Sequence, residues 1–151
     1  MTTSAPPPAA LGRRLDALRA AHLMTADVVT VDEQTGVVSA GEVMRRGGFR
    51  HLPIMRAGRV VGIVEAQALW AALGALTYPS MGRPVTAVML DFVTQVGPGA
   101  ALPEVARQLR CSRCDAVLVT EPDGHLLGLI TTHDLVRVIA LSPGPEVPAP
   151  G

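Results

Sequence analysis

Residues 24–44, MTADVVTVDEQTGVVSAGEVM, and residues 89–109, MLDFVTQVGPGAALPEVARQL, are two versions of one pattern. At a shift of 65 residues, Met24, Val28, Val31, Val37, Ala40, Val43 and Met44 fall on Met89, Val93, Val96, Leu102, Val105, Gln108 and Leu109. The shift becomes 64 at Leu52/Ala116 and 66 at Gly62/Gly128, so two small indels fall in expected loops. Solenoid repeats run to roughly 20 to 50 residues, so this longer period indicates a small domain duplicated once.

Working outward, both copies give the same order of signals. DVVTV (27–31) and FVTQV (92–96) are β-branched runs, and each precedes apolar residues at helical spacing, Val37 to Met44 and Leu102 to Leu109. HLPIM, the tight turn RAGR and VVGIV then read as a two-stranded hairpin, as do DAVLV, EPDG and HLLGLI. Apolar helices follow at Glu65 to Leu73 and Thr132 to Leu141. The unit is β-α-β-β-α, twice, and an amphipathic helix over 11–22 precedes it. The expected boundaries are 23–76 for the first unit, 77–83 for a linker and 84–141 for the second. The Pro- and Ala-rich ends, 1–10 and 142–151, are expected to be disordered tails. A unit of this size is marginal alone, and pairing the two sheets supplies the missing core.

Composition narrows the function. The 151 residues carry 13 basic and 13 acidic groups, and every basic one is Arg, so no basic field exists to gather nucleic acid or anionic lipid. Two cysteines, an opening segment with neither a basic nor an apolar leader pattern, and no long uncharged apolar run lead to the expectation of a cytoplasmic protein off the membrane. Cys111-Ser-Arg-Cys114 is a CxxC, but it stands at a helix end and lacks two further zinc ligands. His22, His51, His125 and His133 are dispersed, and no serine sits in a GxSxG context, so neither a metal site nor a catalytic set is expected.

LMTADVVTV, VVSAGEVM, RHLPI, the turn before VVGIV and, above all, GLITTHDL in the second copy together resemble a tandem cystathionine-β-synthase (CBS) domain pair, or Bateman module, over about Leu23 to Ala140. The resemblance implies an α+β fold in which two CBS domains pack as a pseudo-two-fold pair. It also implies a regulatory sensor, not an enzyme, whose ligand is an adenine nucleotide (AMP, ADP or ATP) or S-adenosylmethionine bound between the domains. The runner-up is a ligand-free oligomerising scaffold of the same fold.

By position, the resemblance places the ribose-binding motif at Gly128-Leu129-Ile130-Thr131-Thr132-His133-Asp134. One carboxylate can accept both hydroxyls of a cis-diol. The same pair, Thr131 and Asp134, also has capping-box spacing, with the hydroxyl on a first-turn N–H and the carboxylate reaching back. The implied cleft adds Asp27, Val29 and Phe49 of the first copy, with Arg50 and His51 as phosphate partners. Arg45 and Arg46 read as helix C-terminal charges instead. The first copy has Glu65 and Ala68 at the ribose-motif positions, so one ligand per chain is expected. In the second copy, Cys114 and Asp115 stand where the first has Arg50 and His51, and an acid there disfavours a phosphate tail. The apolar faces of the helices ending each copy (Ala66, Leu69, Trp70, Leu73; Leu135, Val138, Ile139) point to a homodimer, and a regulated protein partner remains unidentified.

Overall fold

The structure, a computed structural model, describes residues 15–75 and 82–141. The expected tails and most of the expected linker lie outside them. The fold is α+β: two three-stranded sheets flanked by helices. In the first copy the elements are β1 (Val31–Asp32), α2 (Val37–Gly47), β2 (His51–Arg56), β3 (Arg59–Glu65) and α3 (Ala66–Gly74). In the second they are β4 (Gln95–Val96), α4 (Leu102–Cys111), β5 (Ala116–Thr120), β6 (Leu126–Thr131) and α5 (Thr132–Leu141). A short helix, α1 (Ala20–Leu23), precedes both. Each sheet pairs its first strand parallel to its second, and its second antiparallel to its third.

Helical spacing explains α2, which buries Val37, Ala40 and Met44 and ends where Gly48 takes the left-handed conformation (φ 67°) that a side chain would resist. The β2–β3 turn has positive φ at both Ala57 and Gly58, matching the twist of an antiparallel hairpin. Each copy has its own core. Leu52, Ile54, Val64 and Leu69 centre one, and Val105, Val117, Val119 and Ile130 the other. A third cluster, around Ile63, Cys114, Ala116 and Leu118, lies between them. At about 1.5–3 kcal/mol per fully buried aliphatic side chain, this shared cluster supplies what neither copy has alone.

The copies also exchange backbone. Thr25 and Leu129 bond reciprocally at 2.9 and 3.1 Å, and Leu90 and Ile63 do the same at 2.8 and 3.0 Å. The stretch entering each copy thus crosses to the edge of the other copy's sheet. Gly62 and Gly128 permit this approach. A Cβ on Gly62 would lie 2.7 Å from the Leu90 carbonyl and 2.7 Å from Met89 Sδ, and one on Gly128 would lie 2.8 Å from the Thr25 carbonyl and 2.6 Å from Met24 Sδ.

Two expectations need correction. The helix expected over 11–22 is not continuous through its described part: Arg19 is extended (φ −120°, ψ 159°) and bridges Ala101. The Ala20 and Ala21 N–H groups bond the carbonyls of Ala100 and Pro98, a tertiary pairing that replaces the helical ladder. The runs at 27–31 and 92–96 form strand only at their ends, from Val31 and from Gln95, and before Val31 the chain bends where the Val28 N–H bonds the Ala26 carbonyl. Trp70, on the apolar face of α3, is 43% exposed and has one ring edge near Gly41 of α2.

Candidate functional site

A cavity of about 310 Å³ opens between the copies. The second copy contributes Leu129 and Thr131 from β6 and His133 and Asp134 from the first turn of α5. The first copy contributes Asp27 and Val29 from the segment before β1, and Phe49, Arg50 and His51 from the α2–β2 junction. All nine residues singled out in the sequence therefore line one cavity. Thr25 and Val28 also line it, and the sequence reading missed them. They flank Asp27 within LMTADVVTV, but neither carries a titratable group of its own.

Local structure explains each wall. Thr25 is held by its backbone crossing with Leu129, which carries the following residues over the β6 edge. The Val28 N–H bonds the Ala26 carbonyl, and the resulting bend exposes Val29 as apolar wall. The Phe49 ring lies over Gly47, where any Cβ would overlap it, so the small residue at the end of α2 sets the ring position. His51 starts β2, and its Nε2 is 2.7 Å from the Cys114 carbonyl. A carbonyl can only accept, so Nε2 carries a proton and donates it.

The two readings of Thr131 and Asp134 meet in one carboxylate. Asp134 Oδ2 accepts the Thr131 backbone N–H at 2.8 Å and the Thr131 hydroxyl at 2.9 Å. The carboxylate thus reaches back as in a capping box, whereas the hydroxyl donates to it and does not cap a first-turn N–H. Oδ1 has no partner among the described residues. Asp134 is consequently oriented, half-buried, and left with one oxygen to offer.

A second, polar cavity of about 220 Å³ adjoins the first and shares Arg50, His51, Thr131 and His133 with it. Glu65, Ala66, Gln67, Asp115 and Thr132 complete it, which brings the N-termini of α3 and α5 together. Backbone pairing is equivalent on the two sides, with Ala66 N–H to the Arg50 carbonyl (2.8 Å) and Thr132 N–H to the Asp115 carbonyl (3.2 Å), so the strand register makes Asp115 the counterpart of Arg50 and corrects the shift of 64 that had set it against His51.

This pseudo-symmetry matches a family. The CBS-domain model matches residues 20–69 and 85–141. The chain belongs to the CBS-domain family. Similar solved CBS proteins include CBSX2 in complex with AMP, at 25% identity over 82% of this chain and 97% of that one, with a TM-score of 0.71. The CBS domain pair of protein MJ0100 in complex with 5′-methylthioadenosine and S-adenosylmethionine matches at 18% identity over 82% and 96%, with a TM-score of 0.72, and shows the shared fold. Among curated relatives, the inosine-5′-monophosphate dehydrogenase of Thermoplasma acidophilum is 26% identical over 73% of this chain. The CBS pair spans 21% of that enzyme's length, and 40% or less of the next three curated relatives.

The remaining candidates lie outside the cavity. Arg45 and Arg46, read as helix-end charges, form ion pairs with Glu42. Cys111 is exposed and Cys114 buried, and no group of His, Cys, Asp and Glu suited to a metal occurs among the described residues. No described helix is long and apolar enough to cross a membrane.

Proposed function

We infer that this CBS pair is a regulatory module that binds an adenosine-containing small molecule in the cavity between its copies and changes conformation or association in response. The observation that carries the reading is the convergence of Asp134, oriented by Thr131 and offering a free Oδ1, with the apolar wall of Val29 and Phe49 from the opposite copy. An adenine base suits the apolar wall, and a ribose diol suits the carboxylate. The AMP complex of CBSX2 and the S-adenosylmethionine complex of MJ0100 support the ligand class. The proposed role is regulatory and not catalytic, the location is cytoplasmic, and neither nucleic acid nor membrane is a partner. The module works as a homodimer, as the uncovered apolar residues of α5 (Val136, Ile139, Leu141) favour. A protein it regulates would read the ligand-dependent change.

Thermal unfolding of the full chain with AMP, ADP, ATP and S-adenosylmethionine tests the reading. A ligand at 100 times its Kd contributes about 2.7 kcal/mol, or roughly 5–10 °C at this chain length. A melting temperature unmoved by every one of them at millimolar concentration assigns the chain to the scaffold alternative.

A further inference from the structure

Resting on the adenosine reading of the larger cavity, the adjoining polar cavity bears on what the ligand's 5′ substituent can be. The two cavities share Arg50, His51, Thr131 and His133, so a ligand whose ribose sits at Asp134 has the polar cavity as its neighbouring space. There the charges are mixed. Arg50 is cationic, and the N-termini of α3 and α5 each add roughly half a positive charge. Against them stand the carboxylates of Glu65 and Asp115. Neither carboxylate has an ion-pair or hydrogen-bond partner on its side chain among the described residues, and neither does Arg50. Their charges are therefore not spent on one another and act on whatever enters.

We propose that Glu65 and Asp115 form a charge filter in the polar cavity, so that the site selects adenosine ligands with a zwitterionic or cationic 5′ arm and rejects nucleoside phosphates. The lining sums to about zero net charge, with the helix ends counted as above. That balance suits an arm carrying both signs, its carboxylate toward Arg50 and the helix ends, its ammonium or sulfonium toward Glu65 and Asp115. A polyphosphate brings several negative charges and no positive one. The helix ends and Arg50 then meet only part of its charge, while both carboxylates oppose it. Both residues occupy positions where charge is optional for folding. Glu65 precedes α3 without making a side-chain cap bond, and Asp115 sits at φ 49°, which Asn adopts as readily.

Titration calorimetry of the full chain with S-adenosylmethionine, AMP and ATP, repeated on the double variant Glu65→Gln/Asp115→Asn, tests the filter. The native chain is expected to bind S-adenosylmethionine at least tenfold more tightly than either nucleotide. The double variant is expected to gain affinity for ATP, on the order of tenfold per carboxylate removed, and to lose affinity for S-adenosylmethionine. AMP or ATP binding the native chain as tightly as S-adenosylmethionine, or a double variant with unchanged ranking, overturns the filter and leaves the adenosine reading standing. Failure of all three to bind either protein removes the adenosine reading and the filter with it. Circular dichroism of the double variant shows that the comparison is between folded proteins.

Discussion

His51 Nε2 lies 2.7 Å from the Cys114 carbonyl oxygen, across 63 residues of chain, and so joins the start of β2 to the residue that precedes β5 by two. Cys114 is buried, so its carbonyl has little access to water. His51→Ala is expected to leave that acceptor unpaired and to cost about 1–3 kcal/mol. His51→Gln keeps a donor and is expected to recover part of the loss. Urea unfolding with an unchanged m-value measures both, and equal stabilities for native and Ala forms would remove this bond from the interface.

The paired glycines give a sharper test of the backbone exchange. A methyl group on Gly128 meets the Thr25 carbonyl at 2.8 Å, and one on Gly62 meets the Leu90 carbonyl at 2.7 Å. Backbone cannot swing away as a side-chain end can. Each Gly→Ala change is expected to destabilise by about 1–3 kcal/mol and to loosen the two halves. Gly74, at the end of α3, has nothing within 4 Å of an added Cβ, and its replacement by Ala is expected to be neutral or stabilising.

Those glycines show what the sequence can convey. Gly62 and Gly128 were visible as repeat partners, and so were the helices and hairpins, because each buries a face whose spacing survives duplication. The backbone crossing that requires the glycines was not visible, since it pairs residues of opposite copies. The same limit explains Val28 and Val29, whose β-branched run reads as strand although it bends along the cleft. It also explains Arg19, where neither Gly nor Pro announces the break and the carbonyls of Ala100 and Pro98 decide it. Thr131 and Asp134 are a different case: their spacing serves cap and ligand alike, and only the shared Oδ2 shows that one carboxylate can do both.

Asp134→Ala is expected to abolish adenosine-ligand binding, because it removes Oδ1 from the cavity. It also frees the Thr131 N–H, so a stability loss of about 1 kcal/mol should accompany it. Thr131→Val, which keeps the backbone contact and loses the hydroxyl, is expected to weaken binding less. Calorimetry on folded variants separates these outcomes, and the native stoichiometry should be one per chain, since Ala68 offers no carboxylate at the equivalent place.

Glu42 supplies a pH prediction away from the site. Hydrogen bonds from Arg45 and then Arg46 hold its carboxyl down at about 2, against 4.5 ordinarily. A carboxyl depressed on folding adds stability above its unfolded pKa and loses it as the pH falls through the folded one. Any contribution should therefore be constant at neutral pH and vanish between about 4.5 and about 2. The pair is solvent-exposed, so Glu42→Gln should change neutral-pH stability little, and less still in high salt. A carbon-detected NMR titration of Glu42 with its midpoint near 4.5 would contradict the pairing.

Part of the apolar surface of α5 is left uncovered. Of the faces expected to pair with a second chain, Leu69 is fully buried in the first copy's core, and Leu135 and Val138 pack with Leu15 and Leu18 against the second copy's core. Val136 and Ile139, at the flank of that packed face, stay 56% and 64% exposed. The N-terminal segment therefore leaves these two side chains uncovered, and closed two-fold pairing would bury them without leaving further sticky ends. The native chain is expected to be dimeric at tens of micromolar by light scattering, a concentration above ordinary dimer dissociation constants of about 1 μM. Ile139→Asp, a change at an exposed position, is expected to yield a folded monomer. A native chain that is monomeric at that concentration would mean that these side chains face water or a different protein.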